Sequence, residues 1–330
     1  MRTSLCVALF LISVFPISAE TKTLNGVVAV YAQVGTTWWN QWNHFRTNAE
    51  ADPSIRLDYH IQGELGSEQQ LIAGLRRNRV HVAGISQGLT TLVPEIGVMA
   101  IPFLFDSVDE AAFVLDNYLA DPFSDSLADK GVTVLRFTEA SWTILYTANQ
   151  PVLAPKDLSG LTIRIAPNVI QKAFMESLGT DYALVQLGEL IAGLETGLIH
   201  GGLANVVWVD NFMRDVVHHV TQWNAVYGYG AVLVATDWLH NATPAQQSTI
   251  RSAFLPTETA RQQTRSDIKR ILSDPAPTMQ FHALSKDQIV QWRQASAGAK
   301  DRILEAIGPT GADFFDLIIE GKRAYTENSK

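Results

Sequence analysis

After Cys6 the chain contains no further cysteine. Beyond that point no internal disulfide can form, and no lipid-anchor cysteine follows the apolar start. Basic residues are also scarce: 25 Lys and Arg face 33 Asp and Glu, for a formal charge of -8. A surface of this sign argues against nucleic acid or an anionic membrane as a partner. The one long apolar run, Cys6 to Phe15, is too short to span a bilayer, and there is no internal repeat, low-complexity tract or flexible linker. No two histidines stand four apart with a third ligand in view. Gly63-Glu-Leu-Gly66 lacks the lysine and spacing of a phosphate loop. Neither a metal nor another cofactor is expected.

What is present first points to a compartment. Met1-Arg2, the apolar run, and Ile17-Ser18-Ala19 before Glu20 read as a secretory signal peptide over residues 1–19. Export without disulfides suggests a bacterial periplasm and a fold large enough to do without staples. The remaining chain, about 311 residues, exceeds what a single core serves, so two lobes are expected.

The patterning is mixed α/β. Val27 to Tyr31 and Ile55 to Ile61 read as strands, and a helix opens at Ser67, where Gln70 completes a capping box and Asn78 supplies a left-handed stop. Val80 to Ile85 follows as a buried strand, making a βαβ unit and implying parallel pairing. Pro94 to Phe105 is apolar but interrupted by prolines, a buried connection. Ser107 with Glu110 and Ser285 with Gln288 are further capping boxes. Val132 to Phe137 and Trp142 to Thr147 read as two strands, and Gly228 to Ala235 as a strand returning to the first lobe. Thr243-Pro244 opens a long helical segment reaching Leu272, with a kink at Pro256. Such a helix can brace both lobes.

Two stretches could carry chemistry. Gly84-Ile-Ser-Gln-Gly88 fits the nucleophile elbow of a serine hydrolase, but Leu-Thr-Thr-Leu-Val-Pro94 after it is a poor helix, so Ser86 reads better as a strand-end residue lining a cleft. The second stretch is Asp157-Leu-Ser-Gly-Leu-Thr-Ile-Arg-Ile-Ala166. Leu161, Ile163 and Ile165 alternate with Thr162 and Arg164, which sets the arginine off the apolar face near a strand end. Strand ends are where open α/β sheets bind ligands. Taken alone, Arg164 reads better as a surface residue paired with a carboxylate.

Longer blocks resemble the substrate-binding proteins of TRAP transporters. These are Gly63 to Ser86, Pro94-Glu-Ile-Gly-Val with Ile101-Pro-Phe-Leu-Phe-Asp-Ser, Pro151 to Ile165, Leu178-Gly-Thr180, and Leu187-Gly-Glu-Leu-Ile-Ala-Gly-Leu-Glu-Thr-Gly-Leu-Ile-His-Gly. The resemblance runs from roughly residue 24 to 275. It implies a periplasmic binding protein-like fold: two α/β lobes with a ligand cleft, crossing strands and a bracing helix. Lobe I would comprise 20–144 plus about 225–275, and lobe II about 145–224 plus 276–330. It further implies a receptor without catalytic activity that hands a small organic acid to the small and large membrane subunits of an ion-driven transporter. A receptor serving a membrane sensor, or a secreted hydrolase using Ser86, would be the alternatives.

In that family the arginine of the Ile-Arg-Ile segment binds the ligand carboxylate, and Arg164 is the matching position. Trp38 or Trp39, Glu68, Ser86 and Gln87 would contribute from the first lobe; Trp142, Asn205 and Trp208 would contribute from the hinge or second lobe. Two departures bear on the ligand. Many relatives carry a second arginine where this chain has Ser141-Trp142-Thr143, and the run His200-Gly-Gly-Leu-Ala-Asn205 lacks their acidic residue before the glycine. A sugar acid or dicarboxylate is therefore less assured, and Trp142 could offer an aromatic wall.

Overall fold

The structure is a computed structural model that describes residues 22–166 and 168–328; the expected leader lies outside the described residues. Among the described residues ten strands form the sheet: β1 (Leu24–Ala29), β2 (Ile55–His60), β3 (Val82–Ile85), β4 (Val132–Thr147), β5 (Thr162–Ile165), β6 (Asp181–Leu184), β7 (Gly201–Asn205), β8 (His219–Gln222), β9 (Tyr227–Ala235) and β10 (Gln280–Ala283). Their order is β2-β1-β3-β9-β4-β7-β5-β6, with β8 paired to β4 and β10.

The first half follows from the βαβ pattern. β1 runs parallel to both β2 and β3, and the intervening helix Glu68–Arg76 buries Leu71, Ile72 and Leu75 against them. Its capping box is formed, with Ser67 N donating to Gln70 Oε1 at 2.7 Å, and Asn78 takes the left-handed conformation at φ 53°. The second half repeats the arrangement: β5 lies parallel to β6 and β7, and helix Val169–Leu178 starts on the Asn168 cap and stops at Gly179.

One strand joins the halves. Residues 132–142 of β4 pair antiparallel with β9, while 143–147 pair with β7. The two strands read from the sequence are thus one, and the interval between them is bulged instead of turned. The register slips between Val134 and Arg136 and again between Glu139 and Ser141, and Ser141 sits at φ 58°. A bulge leaves a residue unpaired and re-aims its neighbours, so Arg136 through Ala140 all reach the space between the lobes.

The long helical segment is likewise corrected. It is two helices, Pro244–Ser252 and Thr257–Ser273, with Pro256 as the cap of the second. The second helix braces both halves. Gln41 of helix Thr37–Ala49 donates to Ala260 O at 3.0 Å, whereas Ile268 and Ile271 enter the hydrophobic cluster of the second half beside Ile144, Val207 and Val220. The last helix, Thr310–Asn328, turns back to the first half, where Lys322 Nζ donates to Glu110 at 2.8 Å and to Leu104 O at 2.6 Å. His219 lies in β8, its ring 3.1 Å from His282 of β10. Among the described residues no helix is long and apolar enough to cross a membrane.

Candidate ligand-binding site

A cavity of about 410 Å³ lies where the two halves face each other, with walls drawn from both; this is within the size range of small-molecule sites. Seven of the nine residues expected from the sequence line it: Trp38, Glu68, Ser86, Gln87, Arg164, Asn205 and Trp208. Two do not. Trp39 packs against the core, and Trp142 stands edge-on to Tyr227, ring centroids 6.1 Å apart.

Arg164 reaches the cavity from β5 and is only 8% exposed. Its Nε donates to Val185 O at 3.0 Å. Among the described residues no carboxylate pairs with it and its two Nη groups have no protein acceptor. Burial lowers its pKa, and the neighbouring Tyr146 phenol pushes it back up. A guanidinium stays charged regardless. A buried cation without a counter-charge is costly, and an anion in the cavity would offset that cost. The surface-paired alternative is not what the fold produces.

Glu68 is turned toward protein. As the first residue of its helix it accepts from Ser86 N and Ser86 Oγ, both at 2.7 Å, and from Gly88 N at 2.6 Å. Burial raises its pKa against the lowering effect of these donors. Ser86 therefore spends its hydroxyl on a carboxylate, and among the described residues no histidine lines the cavity. Asn205 is similarly occupied: Oδ1 accepts from Val207 N at 2.8 Å and Nδ2 donates to Ala140 O. Gln87 spans the cleft, accepting from Gln171 Nε2 at 3.1 Å, and beside it Asn168 donates to Thr90 Oγ1 at 3.2 Å.

Several lining residues escaped the sequence reading. Arg136 is one, although an arginine between Leu135 and Phe137 was a visible signal. Its Nη1 donates to Leu255 O at 2.8 Å and its guanidinium lies over the Phe254 ring; burial, helped by Arg261, brings its pKa down to about 10. Glu139, Tyr146 and Gln171 are others. Tyr146 is fully buried and its hydroxyl has no hydrogen-bond partner among the described residues; burial raises its pKa to about 12, with Arg164 acting the other way. Among the described residues no group of three His, Cys, Asp or Glu side chains could hold a metal ion.

Residues 28–306 match the model of a family described as bacterial extracellular solute-binding protein, family 7. The chain is 28% identical over 161 residues to a solute-binding protein of Chromohalobacter salexigens, covering 48% of this chain and 47% of that protein. It is 29% identical over 174 residues to the 2,3-diketo-L-gulonate-binding periplasmic protein of Escherichia coli, covering 50% of this chain and 53% of that protein. The chain thus spans about half the length of these two relatives. Among solved structures, the sugar acid binding protein of Advenella mimigardefordensis in complex with galactonate superposes with a TM-score of 0.81 at 20% identity, over 92% of this chain and all of that one. At that identity the likeness shows the two-lobe fold.

Proposed function

The chain belongs to family 7 of the bacterial extracellular solute-binding proteins, and from that premise we propose that it is a periplasmic receptor. It binds a small organic acid between its lobes and delivers it to the membrane subunits of a TRAP-type transporter. Residues 20–144 with about 225–275 form the first lobe, and about 145–224 with 276–330 the second, its last helix reaching back onto the first. The names of two relatives, one for 2,3-diketo-L-gulonate and one in complex with galactonate, support an acid as ligand.

The observation that carries the reading is Arg164, a buried guanidinium facing the cavity without a carboxylate partner among the described residues. Its planar fork suits bidentate recognition of a carboxylate in a way lysine cannot match. Trp38, Gln87 and Trp208 contact the ligand, while Glu68, Ser86 and Asn205 hold the walls.

The test is a thermal-shift screen of organic acids on the leaderless protein, followed by titration of the best hit against Arg164→Ala and Arg164→Lys. Removing one partner of a buried charge pair costs about 2 to 5 kcal/mol, or roughly 30- to 5000-fold in Kd. Unchanged affinity in both variants would remove Arg164 from the site.

A further inference from the structure

We propose that the acid bound here carries its carboxylate on an aromatic or otherwise apolar skeleton, and that the cavity discriminates against polyhydroxylated acids; this rests on Arg164 as the carboxylate anchor. Many polar side chains around the cavity spend their hydrogen bonds on the protein itself.

Glu68 takes three donors from the turn after β3. Gln87 and Gln171 are bonded to each other, and Asn168 spends its amide on Thr90 and its oxygen on Ile170 N and Gln171 N. Asn205 is used at both ends. Gln41 donates to Ala260 O and Thr264 Oγ1. Three lining tyrosines turn their hydroxyls into the protein: Tyr31 to Gly66 O, Tyr227 to Glu139 and Tyr229 to Ile96 O. They present rings, not hydroxyls. Glu139 is taken up by Arg265 as well as Tyr227.

What is left facing the space is mainly rings, those of Trp38, Trp42, Phe174, Trp208 and Phe254; the open polar groups are the Nη groups of Arg164 with the neighbouring Tyr146 hydroxyl, Thr138, and the exposed Gln69 and Gln186. A sugar acid entering this cavity gives up water at each hydroxyl and finds few open partners. Each hydroxyl left unpaired weakens binding about tenfold. An aryl ring instead lies against rings of its own kind, which strengthens binding about three- to tenfold per aromatic contact.

The experiment is isothermal titration of the leaderless full chain with benzoate, phenylacetate and 4-hydroxybenzoate on one side and gluconate and glucuronate on the other. At least one aryl acid is expected to bind about 100-fold more tightly than either sugar acid, the loss set by two unpaired hydroxyls. Trp208 is half-buried; Trp208→Leu is expected to weaken that aryl acid about fivefold, and Trp208→Phe to restore most of it. The inference falls if a sugar acid binds as tightly as every aryl acid, if no aryl acid binds, or if Trp208→Leu leaves aryl affinity unchanged. Should a sugar acid bind and be lost in Arg164→Ala, the anchor stands and only the skeleton is wrong. Should no acid respond to Arg164→Ala, the anchor itself falls, and this inference with it.

Discussion

Arg265 grips Glu139 with two parallel hydrogen bonds, Nε to Oε1 at 2.6 Å and Nη2 to Oε2 at 2.8 Å, and so ties the long helix to the crossing strand where that strand is bulged. The Glu139 side chain is 1% exposed and also accepts from Tyr227 at 2.9 Å, while Arg261 Nε stands 3.3 Å from it. The pairing holds the Arg265 guanidinium well above its ordinary pKa, chiefly through the hydrogen bonds to Glu139. Removing one partner of such a pair leaves a charge stranded and costs about 3 to 5 kcal/mol when both are fully buried. Arg265 keeps some solvent contact, so Glu139→Gln is expected to lose about 3 kcal/mol. Urea denaturation measures it, and a double-mutant cycle with Arg265→Gln isolates the pair; a coupling energy near zero would contradict the assignment.

The glycines of β7 make room for β4. A Cβ on Gly201 would meet Tyr146 O at 2.2 Å, and one on Gly202 would meet the Tyr146 hydroxyl at 2.4 Å and Arg164 O at 3.1 Å. Gly202→Ala is expected to cost about 1 to 3 kcal/mol by overpacking and to disturb Arg164, lowering both the melting temperature and acid affinity. Gly201→Ala meets backbone and is expected to be the worse of the two. Equal stability to the parent in both would show that the strands can part freely there.

His81 is expected to make the protein less stable in mild acid. Its Nδ1 accepts from Val27 N at 2.8 Å, which requires the unprotonated ring. Burial lowers its pKa below 6.5, and a hydrogen bond to the Asn78 backbone opposes this. With the folded value below the unfolded one, the unfolded chain binds more protons in that interval. Stability is then complete above 6.5 and is lost as pH falls toward the lowered value. Denaturation midpoints at pH 5 to 8 should slope upward, and His81→Gln, which keeps an acceptor but cannot titrate there, should flatten the slope. An unaltered slope in the variant would assign the effect elsewhere.

Gln171 and Gln87 meet across the cleft. Deleting that bond with Gln171→Ala is expected to weaken acid binding by about 0.5 to 1.5 kcal/mol, roughly two- to tenfold, with the change in the dissociation rate. Stopped-flow tryptophan fluorescence reads both rates. A change confined to association would argue that the bond forms before the ligand is enclosed.

What the sequence disclosed and what it withheld divide by distance along the chain. Ser67 with Gln70, Ser285 with Gln288, and Asn78 are signals complete within a few residues, and each forms as read. The Ser107 and Glu110 box forms only by half: Ser107 caps, but Glu110 turns to Asp106 N and Lys322, a partner 212 residues away. Glu139-Ala-Ser141 lacks the apolar residues of a strand interior and so read as a gap, yet β9 pairs with it through the bulge. β8 and β10, four residues each, were not legible at all, because His219-Val-Thr-Gln has no clear alternation and finds its partner only at Gln280. For the site, the arginine position was visible in the strand pattern. That Glu68, Ser86 and Asn205 are engaged by protein depends on contacts 18 or more residues apart, which no local pattern contains.

β4 is a single covalent ribbon belonging to both halves of the sheet, hydrogen-bonded along its length. Any change in the angle between the cavity walls must therefore twist this strand, most readily where pairing slips around Ser141, along with the crossing between β8 and β9 and the helix Thr257–Ser273 that touches both halves. Such a joint acts as a spring with a rest position, not as a free pivot. Its stiffness would enter the affinity of every ligand by the same amount, so substitutions at Ser141 or Gly228 should scale all affinities together and leave their ranking untouched.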